Sequence, residues 1–306
     1  MRVLITGDKG TVGREVTGWL ADAGDIVCGF DIVDGRDVLD LGALQPAVNA
    51  NDIVVHLAAV DDPDPLAEDL PAELWNRTEA TPEAVVAVTV LGTLNVLQAA
   101  KAAGHQRVVV MSSVDALGIF LGQRAPDYLP IDDGHPSYPR TPYALAKRTA
   151  ERMCASFTEN TGISTICLRP PGIWTAKIFE SVRQRWAEDP MNDRRPYWEY
   201  GAFIAIEDVA QAIWCAIHNP FHGHAVLNIS SDDAALSEQT SIQAARSIHP
   251  AVPWRGGAEY EQDPFRTLLD NETAKRVLGW TPRVRLRDVC SMKIDGRGTA
   301  GATGGT

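Results

Sequence analysis

The chain has 306 residues, with 40 acidic against 28 basic side chains and a formal net charge of −12. Such a surface repels phosphate backbones and anionic lipid, which sets nucleic acid and membrane surfaces aside as partners. At 45% hydrophobic and 22% charged residues the composition is that of a globular protein, long enough for one large α/β domain or two small ones.

No run of about 18 apolar residues appears, so no membrane span is expected. The opening run Met1–Gly7 is too short and ends too soon in a turn to be a signal peptide. Cysteines 28, 154, 167, 215 and 290 are scattered and form no C-x-x-C pair. They read as reduced thiols of a cytoplasmic protein.

In chain order, short β-branched runs at Arg2–Thr6, Asp25–Phe30, Ile53–Leu57, Arg107–Met111 and Ser164–Leu168 are bounded by Gly, Asp or Asn. Near-continuous apolar character predicts strands covered on both faces. Helical patterns lie between them at Val12–Ala23, Pro82–Ala103 and Pro142–Asn160. This alternation predicts an α/β fold, a doubly wound parallel sheet. Beyond Arg169 the rhythm loosens: helices are expected at Lys177–Ala187, Glu207–His218 and Asn271–Leu278, and a strand at Ala225–Ile229. Residues 188–201 read as irregular. The expected division is a dinucleotide-binding core over 1–168, a smaller substrate lobe over 169–295 with elements returning to the core, and a disordered Gly/Thr/Ala-rich tail over 296–306.

Thr6-Gly7-Asp8-Lys9-Gly10-Thr11-Val12-Gly13 joins the first strand to the first helix. Gly7 permits a tight turn, Gly10 lets backbone approach a pyrophosphate, and Gly13 lets helix pack on strand. The helix N-terminus at Thr11 and Val12 offers free N–H groups and a positive dipole end to that anion. Asp31 ends the second strand, 18 residues after Gly13. A carboxylate there accepts from ribose hydroxyls and repels a 2′-phosphate, which favours NAD over NADP. Arg36 nearby reads as a solvated loop charge. Asp40 either faces the adenine or caps a helix before Leu41.

Tyr143-Ala-Leu-Ala-Lys147 sets a phenol and an amine four residues apart on one helical face. A neighbouring ammonium favours phenolate and brings the tyrosine toward general-base duty near neutral pH.

T-G-x-x-G-x-x-G at 6–13, Asp31, His56-Leu57-Ala58-Ala59, Ser112-Ser113 at a strand end, and Tyr143/Lys147 follow in one order. With Gly92-Thr93-Leu94-Asn95, Leu168-Arg169-Pro170-Pro171, Glu207-Asp208-Val209-Ala210 and Leu278-Gly279-Trp280-Thr281-Pro282, the chain resembles the extended short-chain dehydrogenases/reductases, the NAD-dependent epimerase/dehydratase family. The resemblance runs from Arg2 to about Val289. It implies a Rossmann fold, NAD as cofactor, Tyr143 as acid/base, and Lys147 holding the nicotinamide ribose. It also implies Ser113, or Ser112 as the fallback, on the reacting oxygen. Lys9, Leu57, Ala58, Ala59 and Pro170 join the glycine turn as cofactor contacts. The family's subunits pair through two long helices, so a homodimer is implied.

Departures from the family pattern narrow the reaction. Where nucleotide-sugar dehydratases carry an Asp–Glu pair, this chain has Val114 and Asp115, and valine cannot protonate a leaving hydroxyl. The Asn common after Arg169-Pro170 in sugar-nucleotide enzymes is replaced by Pro171-Gly172. The leading expectation is therefore an NAD-dependent dehydrogenase acting on a secondary hydroxyl of a sugar-like or sugar-acid small molecule. An NAD-dependent sugar epimerase and a non-catalytic dinucleotide-sensing regulator are the alternatives.

Trp174 and Arg169 are the substrate candidates of the second half. Trp174 and the nearby Trp186, Tyr197, Trp198 and Tyr200 suit either sugar rings or lobe packing. Arg169 sits at a strand's C-terminal end, where open α/β sheets bind ligands, and is expected to meet an anionic or polyhydroxylated substrate. Cys215, His218, His222 and His224 have no metal-ligand spacing, and no metal is expected.

Overall fold

The structure is a computed structural model that describes residues 1–61, 81–120, 124–188, 199–236 and 239–291. Its strands are β1 (Arg2–Thr6), β2 (Ile26–Phe30), β3 (Ile53–His56), β4 (Arg107–Met111), β5 (Ser164–Arg169), β6 (Gly172–Trp174), β7 (Phe203–Ala205) and β8 (His224–Asn228). Six of them form one parallel sheet in the order β2-β1-β3-β4-β5-β8, and β6 pairs with β7 apart from it. The doubly wound α/β sheet read from the sequence is present.

Strand period explains the apolar runs. Val3, Ile5, Ile53 and Val55 face one side of the sheet, while Leu4, Val54, Val108 and Val110 face the other. Both faces are covered, so both phases of the alternation are predominantly apolar. Helices α1 (Thr11–Asp22) and, from the second half, α7 (Ile206–His218) close the first face. The second face is closed by α2 (Leu41–Asn49), α4 (Gly92–Ala103) and α5 (Pro142–Thr161).

Helix α4 continues from α3 (Pro82–Val86) through a wide π turn at Ala87–Leu91. Together Pro82–Ala103 is long and apolar enough to cross a bilayer by length and composition alone. In the fold, however, its Val96, Leu97, Ala99 and Ala100 are buried against the sheet and α2.

Most predicted elements have their ends within two residues of the observed ones. Residues α6 (Ala176–Glu188), α8 (Ser241–Ile248), α9 (Glu259–Gln262), α10 (Glu272–Leu278) and α11 (Leu286–Ser291) complete the chain. Of these, the sequence pattern foresaw only α6 and α10. The predicted irregular stretch falls mostly at 189–198, and the predicted tail at 296–306; both lie outside the described residues.

Two of the motifs are joints. The carboxylate of Asp208, in the first turn of α7, accepts from the amides of Arg283 at 2.9 Å and Val284 at 3.0 Å. Trp280 is fully buried and donates its indole N–H to the Asp208 carbonyl at 3.1 Å. The Glu207-Asp208 and Gly279-Trp280 motifs thus fasten the end of the chain to the helix covering the sheet. Trp280→Ala is expected to cost about 3–5 kcal/mol of stability. A urea midpoint equal to the parent's would contradict this reading of the joint.

Candidate active site

Because the sheet is parallel, the C-terminal ends of its strands share one edge, and the order reverses around β1. The glycine-rich turn leaves β1 at that switch point. Gly7 has φ +76°, and a Cβ on it would lie 2.7 Å from the Ala58 amide nitrogen. Any larger residue would push apart the two loops that leave β1 and β3. A Cβ on Gly13 would collide with the Gly7 carbonyl oxygen, so α1 begins as close to the turn as backbone allows. Gly10 is the N-cap of α1 and brings no side chain to cap it, leaving the amide end at Thr11 and Val12 to an outside anion.

Of the predicted cofactor residues, Lys9, Asp31 and Ala58 are brought together at this turn. The backbone N–H of Lys9 donates to the Asp31 carboxylate at 3.0 Å. Leu57 N–H donates to the Thr6 carbonyl at 3.0 Å, and Ala59 stands exposed just beyond. Asp40 caps α2, accepting from Ala43 N–H at 3.1 Å, and Leu41 is partly buried against the core. Asn95 of the Gly-Thr-Leu-Asn motif donates to the carbonyls of Val38 and Leu39, so it anchors this loop to α4. Pro170 is buried, and its carbonyl accepts from Val114 N–H at 3.1 Å.

The catalytic candidates meet at the ends of β4 and α5. Lys147 is buried, donates from Nζ to the Met111 carbonyl at 2.9 Å, and lies 5.4 Å from the Tyr143 ring centre. Burial pushes its ammonium down to about 8, against the opposing pull of Asp61, Glu151 and Asp115. His56 is buried beside it, with Nδ1 2.7 Å from the Thr6 hydroxyl. Burial, and then the Lys147 charge, push this imidazole down to about 3, so it is neutral at physiological pH. Ser113 lies two residues beyond β4; its hydroxyl donates to Asp115 Oδ2 at 3.0 Å and accepts from the Asp115 N–H at 3.1 Å. Tyr143 is half-buried in the first turn of α5, whose N-cap Thr141 accepts from Ala144 N–H at 3.1 Å.

Two substrate candidates are placed elsewhere. Arg169 is 1% exposed, and its Nε and Nη2 meet the two carboxylate oxygens of Glu151 at 2.6 and 2.8 Å. The guanidinium that was expected to meet a substrate is committed within the fold. Trp174 is buried and stacks on Phe203 at 4.6 Å between ring centres, with Phe179 edge-on at 5.3 Å. Its indole packs the β6–β7 layer, the other of its two sequence readings. His218, one of the residues weighed for metal, bonds Asp25 at 2.9 Å.

The sequence reading missed Glu151. It stands four residues after Lys147 and eight after Tyr143, on the same helical face, and that spacing was the available signal. Besides Arg169, its carboxylate receives the Ser112 hydroxyl at 2.6 Å and Arg148 at 3.0 Å. Burial opposes its charge, but Arg169, Ser112 and Arg148 outweigh burial and hold the carboxyl below its ordinary value.

Breaking this buried pair from one side, as in Glu151→Ala, is expected to destabilise the protein by about 3–5 kcal/mol, because it strands the Arg169 charge. Replacing both partners by apolar residues of similar volume is expected to recover most of that loss. A double variant no better than Glu151→Ala in urea denaturation would count against the stranded-charge account. Lys147 gives a pH-dependent expectation. Its folded value near 8 lies below the ordinary lysine value of 10.5, so the folded state carries a penalty that is full below pH 8 and fades toward 10.5. Relative to the parent, the stability of Lys147→Met should therefore decline as pH rises from 8 to 10. Urea midpoints whose difference stays flat over that range would refute it.

Known proteins resemble the chain along most of its length. The model of the NAD dependent epimerase/dehydratase family matches residues 3–230. The GDP-6-deoxy-D-mannose reductase of Pseudomonas aeruginosa is 31% identical, covering 94% of this chain and 93% of its own length. A protein described as a putative UDP-glucose 4-epimerase of Methanocaldococcus jannaschii is 26% identical over 66% of each chain, just under two thirds of its length. Among solved structures, the UDP-glucose 4-epimerase of Thermotoga maritima with UDP-glucose superposes with a TM-score of 0.65 at 18% identity, covering 95% of this chain and 96% of that one. The chain belongs to the NAD-dependent epimerase/dehydratase family and is an NAD-dependent enzyme of the extended short-chain dehydrogenase/reductase type.

Proposed function

We propose that the protein is an NAD-dependent dehydrogenase that oxidises a secondary hydroxyl of a sugar-like or sugar-acid small molecule, with Tyr143 as the acid/base. The observation that carries this reading is the buried Lys147 ammonium, fixed on the Met111 carbonyl beside the Tyr143 ring. A cation held there lowers the cost of ionising the phenol, so Tyr143 can take a hydroxyl proton near neutral pH. Ser113, two residues beyond the β4 end that anchors this cation, hydrogen-bonds the reacting oxygen.

The residues present fit the family's cofactor. The amide end of α1 has no side-chain cap and suits an anion, and Gly7 adds no Cβ where its backbone meets that of Ala58. Asp31 offers a carboxylate at the end of β2 for ribose hydroxyls. When bound there, NAD supplies the hydride acceptor. The chain's own part is to hold the dinucleotide and the substrate carbon in register and to move the proton at Tyr143 Oη.

Two features select among family chemistries. Val114 is fully buried and cannot donate a proton, so loss of water from the substrate is disfavoured. Arg169 is committed to Glu151, while Asp61 and Asp115 act on Lys147, which favours a neutral sugar-like substrate over a sugar acid. The relatives named for 4-epimerases keep epimerisation as a second reading, in which the hydride returns to the opposite face.

Exposed Val86, Leu91, Leu94 and Leu145 on α3, the π turn, α4 and α5 favour pairing of two copies through these helices. We also assign the protein to the cytoplasm, on its cysteine usage, the dinucleotide-binding core to 1–168, and a smaller substrate lobe with elements returning to that core to 169–295.

A panel of free sugars, sugar acids and nucleotide sugars, followed by NADH absorbance, tests the reading. A dehydrogenase accumulates NADH in step with substrate consumed, whereas isomerised product without net NADH would establish the epimerase. On the substrate found, Tyr143→Phe is expected to lower kcat about 10²–10⁴-fold. Undiminished turnover in that variant would eliminate Tyr143 as acid/base.

A further inference from the structure

The glycine-rich turn contains a carboxylate for which the proposed chemistry has no use. Asp8 is 6% exposed, and its Oδ1 is buried without a hydrogen-bond partner among the described residues. It is accommodated because residue 29 of β2 is glycine: a Cβ there would collide with the Asp8 carboxylate. The other oxygen, Oδ2, lies 3.3 Å from Lys9 Nζ, and Asp34 Oδ2 lies 3.5 Å from the same ammonium. The backbone N–H of Lys9 is meanwhile held by Asp31. Lys9 is therefore gripped at its charged end by the carboxylates of Asp8 and Asp34 and at its backbone by that of Asp31.

An ammonium paired only at the surface would exchange partners freely. Here one partner is buried, where water and salt screen least. Asp8 first, and Asp34 after it, hold the Lys9 ammonium above the ordinary lysine value. Arg36, the other nearby cation, donates Nη1 to the Gly29 carbonyl at 2.8 Å.

We propose that Asp8 is a specificity-determining residue of the dinucleotide site: with Asp34 it clamps Lys9, so that the ammonium is withheld from an adenosine 2′-phosphate and NAD is taken in preference to NADP. A phosphate monoester brings about −1.5 to −2 charges at neutral pH. It would meet Asp8, Asp31 and Asp34 with the nearest lysine already neutralised. Asp31 supplies repulsion; Asp8, with Asp34, also removes the cation that would offset it. The inference rests on the family's dinucleotide cofactor and is independent of the substrate.

Calorimetric titration of the intact protein with NAD and with NADP, without substrate, tests it. The parent is expected to bind NAD at least about tenfold more tightly, a difference of ~1.4 kcal/mol. Asp8→Asn, and separately Asp34→Asn at the surface, should each move the ratio of dissociation constants toward NADP by about tenfold, and adding Lys9→Ala to either should reverse the gain. Asp34→Asn keeps the test decisive should Asp8→Asn fail to fold. The clamp is overturned by an unchanged ratio in folded Asp34→Asn and Asp8→Asn, or by a gain that survives Lys9→Ala. A parent that binds NADP as well as NAD also overturns it. A parent that binds neither dinucleotide overturns the cofactor reading itself.

Discussion

The carboxylate of Glu151 sets the frame in which the other site residues stand. It is 1% exposed, belongs to the helix that carries Tyr143 and Lys147, and receives Arg169 from the end of β5 and Ser112 from the end of β4. One side chain therefore fastens the acid/base helix to two neighbouring strand ends. A buried ion pair contributes little net stability, because desolvation offsets the attraction, but losing half of it is expensive. Its consequence is orientation: α5 cannot rotate or slide without stranding a charge. Lys147, one helical turn away, is held against the Met111 carbonyl by the same restraint, and Ser113 follows directly from Ser112 in the chain.

Electrostatics at this edge follow from that frame. An ammonium as buried as Lys147 is costly in the charged form, and burial lowers its proton affinity to about 8. Glu151, Asp61 and Asp115 keep the value from falling further. Burial, and then the Lys147 charge, lower His56 in the same direction, to about 3, which leaves a neutral ring on the Thr6 hydroxyl. Two basic side chains on neighbouring elements thus have opposite charge states at pH 7. The cation is kept next to the phenol, and the neutral ring lies below the loop at Leu57–Ala59, which the family reading assigns to the cofactor.

What was legible in the sequence follows the range of the physics. Strands buried on both faces announce themselves in four or five consecutive apolar residues, and the Gly7–Gly13 turn and the Tyr143/Lys147 spacing are local. Arg169 was misread because a strand-end arginine looks the same whether it faces a cleft or a partner. The partner, Glu151, lies 18 residues earlier on another element. Trp174 became a packing residue only through the β6–β7 pairing with Phe203, which three-residue strands do not announce. Asp8 and Gly29 form a size compensation across 21 residues, visible only when β1 and β2 lie side by side. The short helices α8, α9 and α11 carry too few turns for a periodic signal.

The acidity of the chain then becomes a constraint on how it can hold an anionic cofactor. Both lysines discussed are enclosed by carboxylates, Lys9 by Asp8 and Asp34, and Lys147 under the influence of Glu151, Asp61 and Asp115. Neither is left over to neutralise a pyrophosphate. The glycine turn supplies a different kind of positive potential, the unpaired amides and dipole at the start of α1, where Gly10 contributes no capping side chain. Amide dipoles add no net charge, cannot be titrated away, and act only within the first turn. An acidic protein can therefore bind a dinucleotide at a fixed place without carrying a basic patch. The same economy explains why a 2′-phosphate is a separate problem: it lies beyond the reach of those amides and would have to be met by side chains, and at this end of the sheet they are mostly acids.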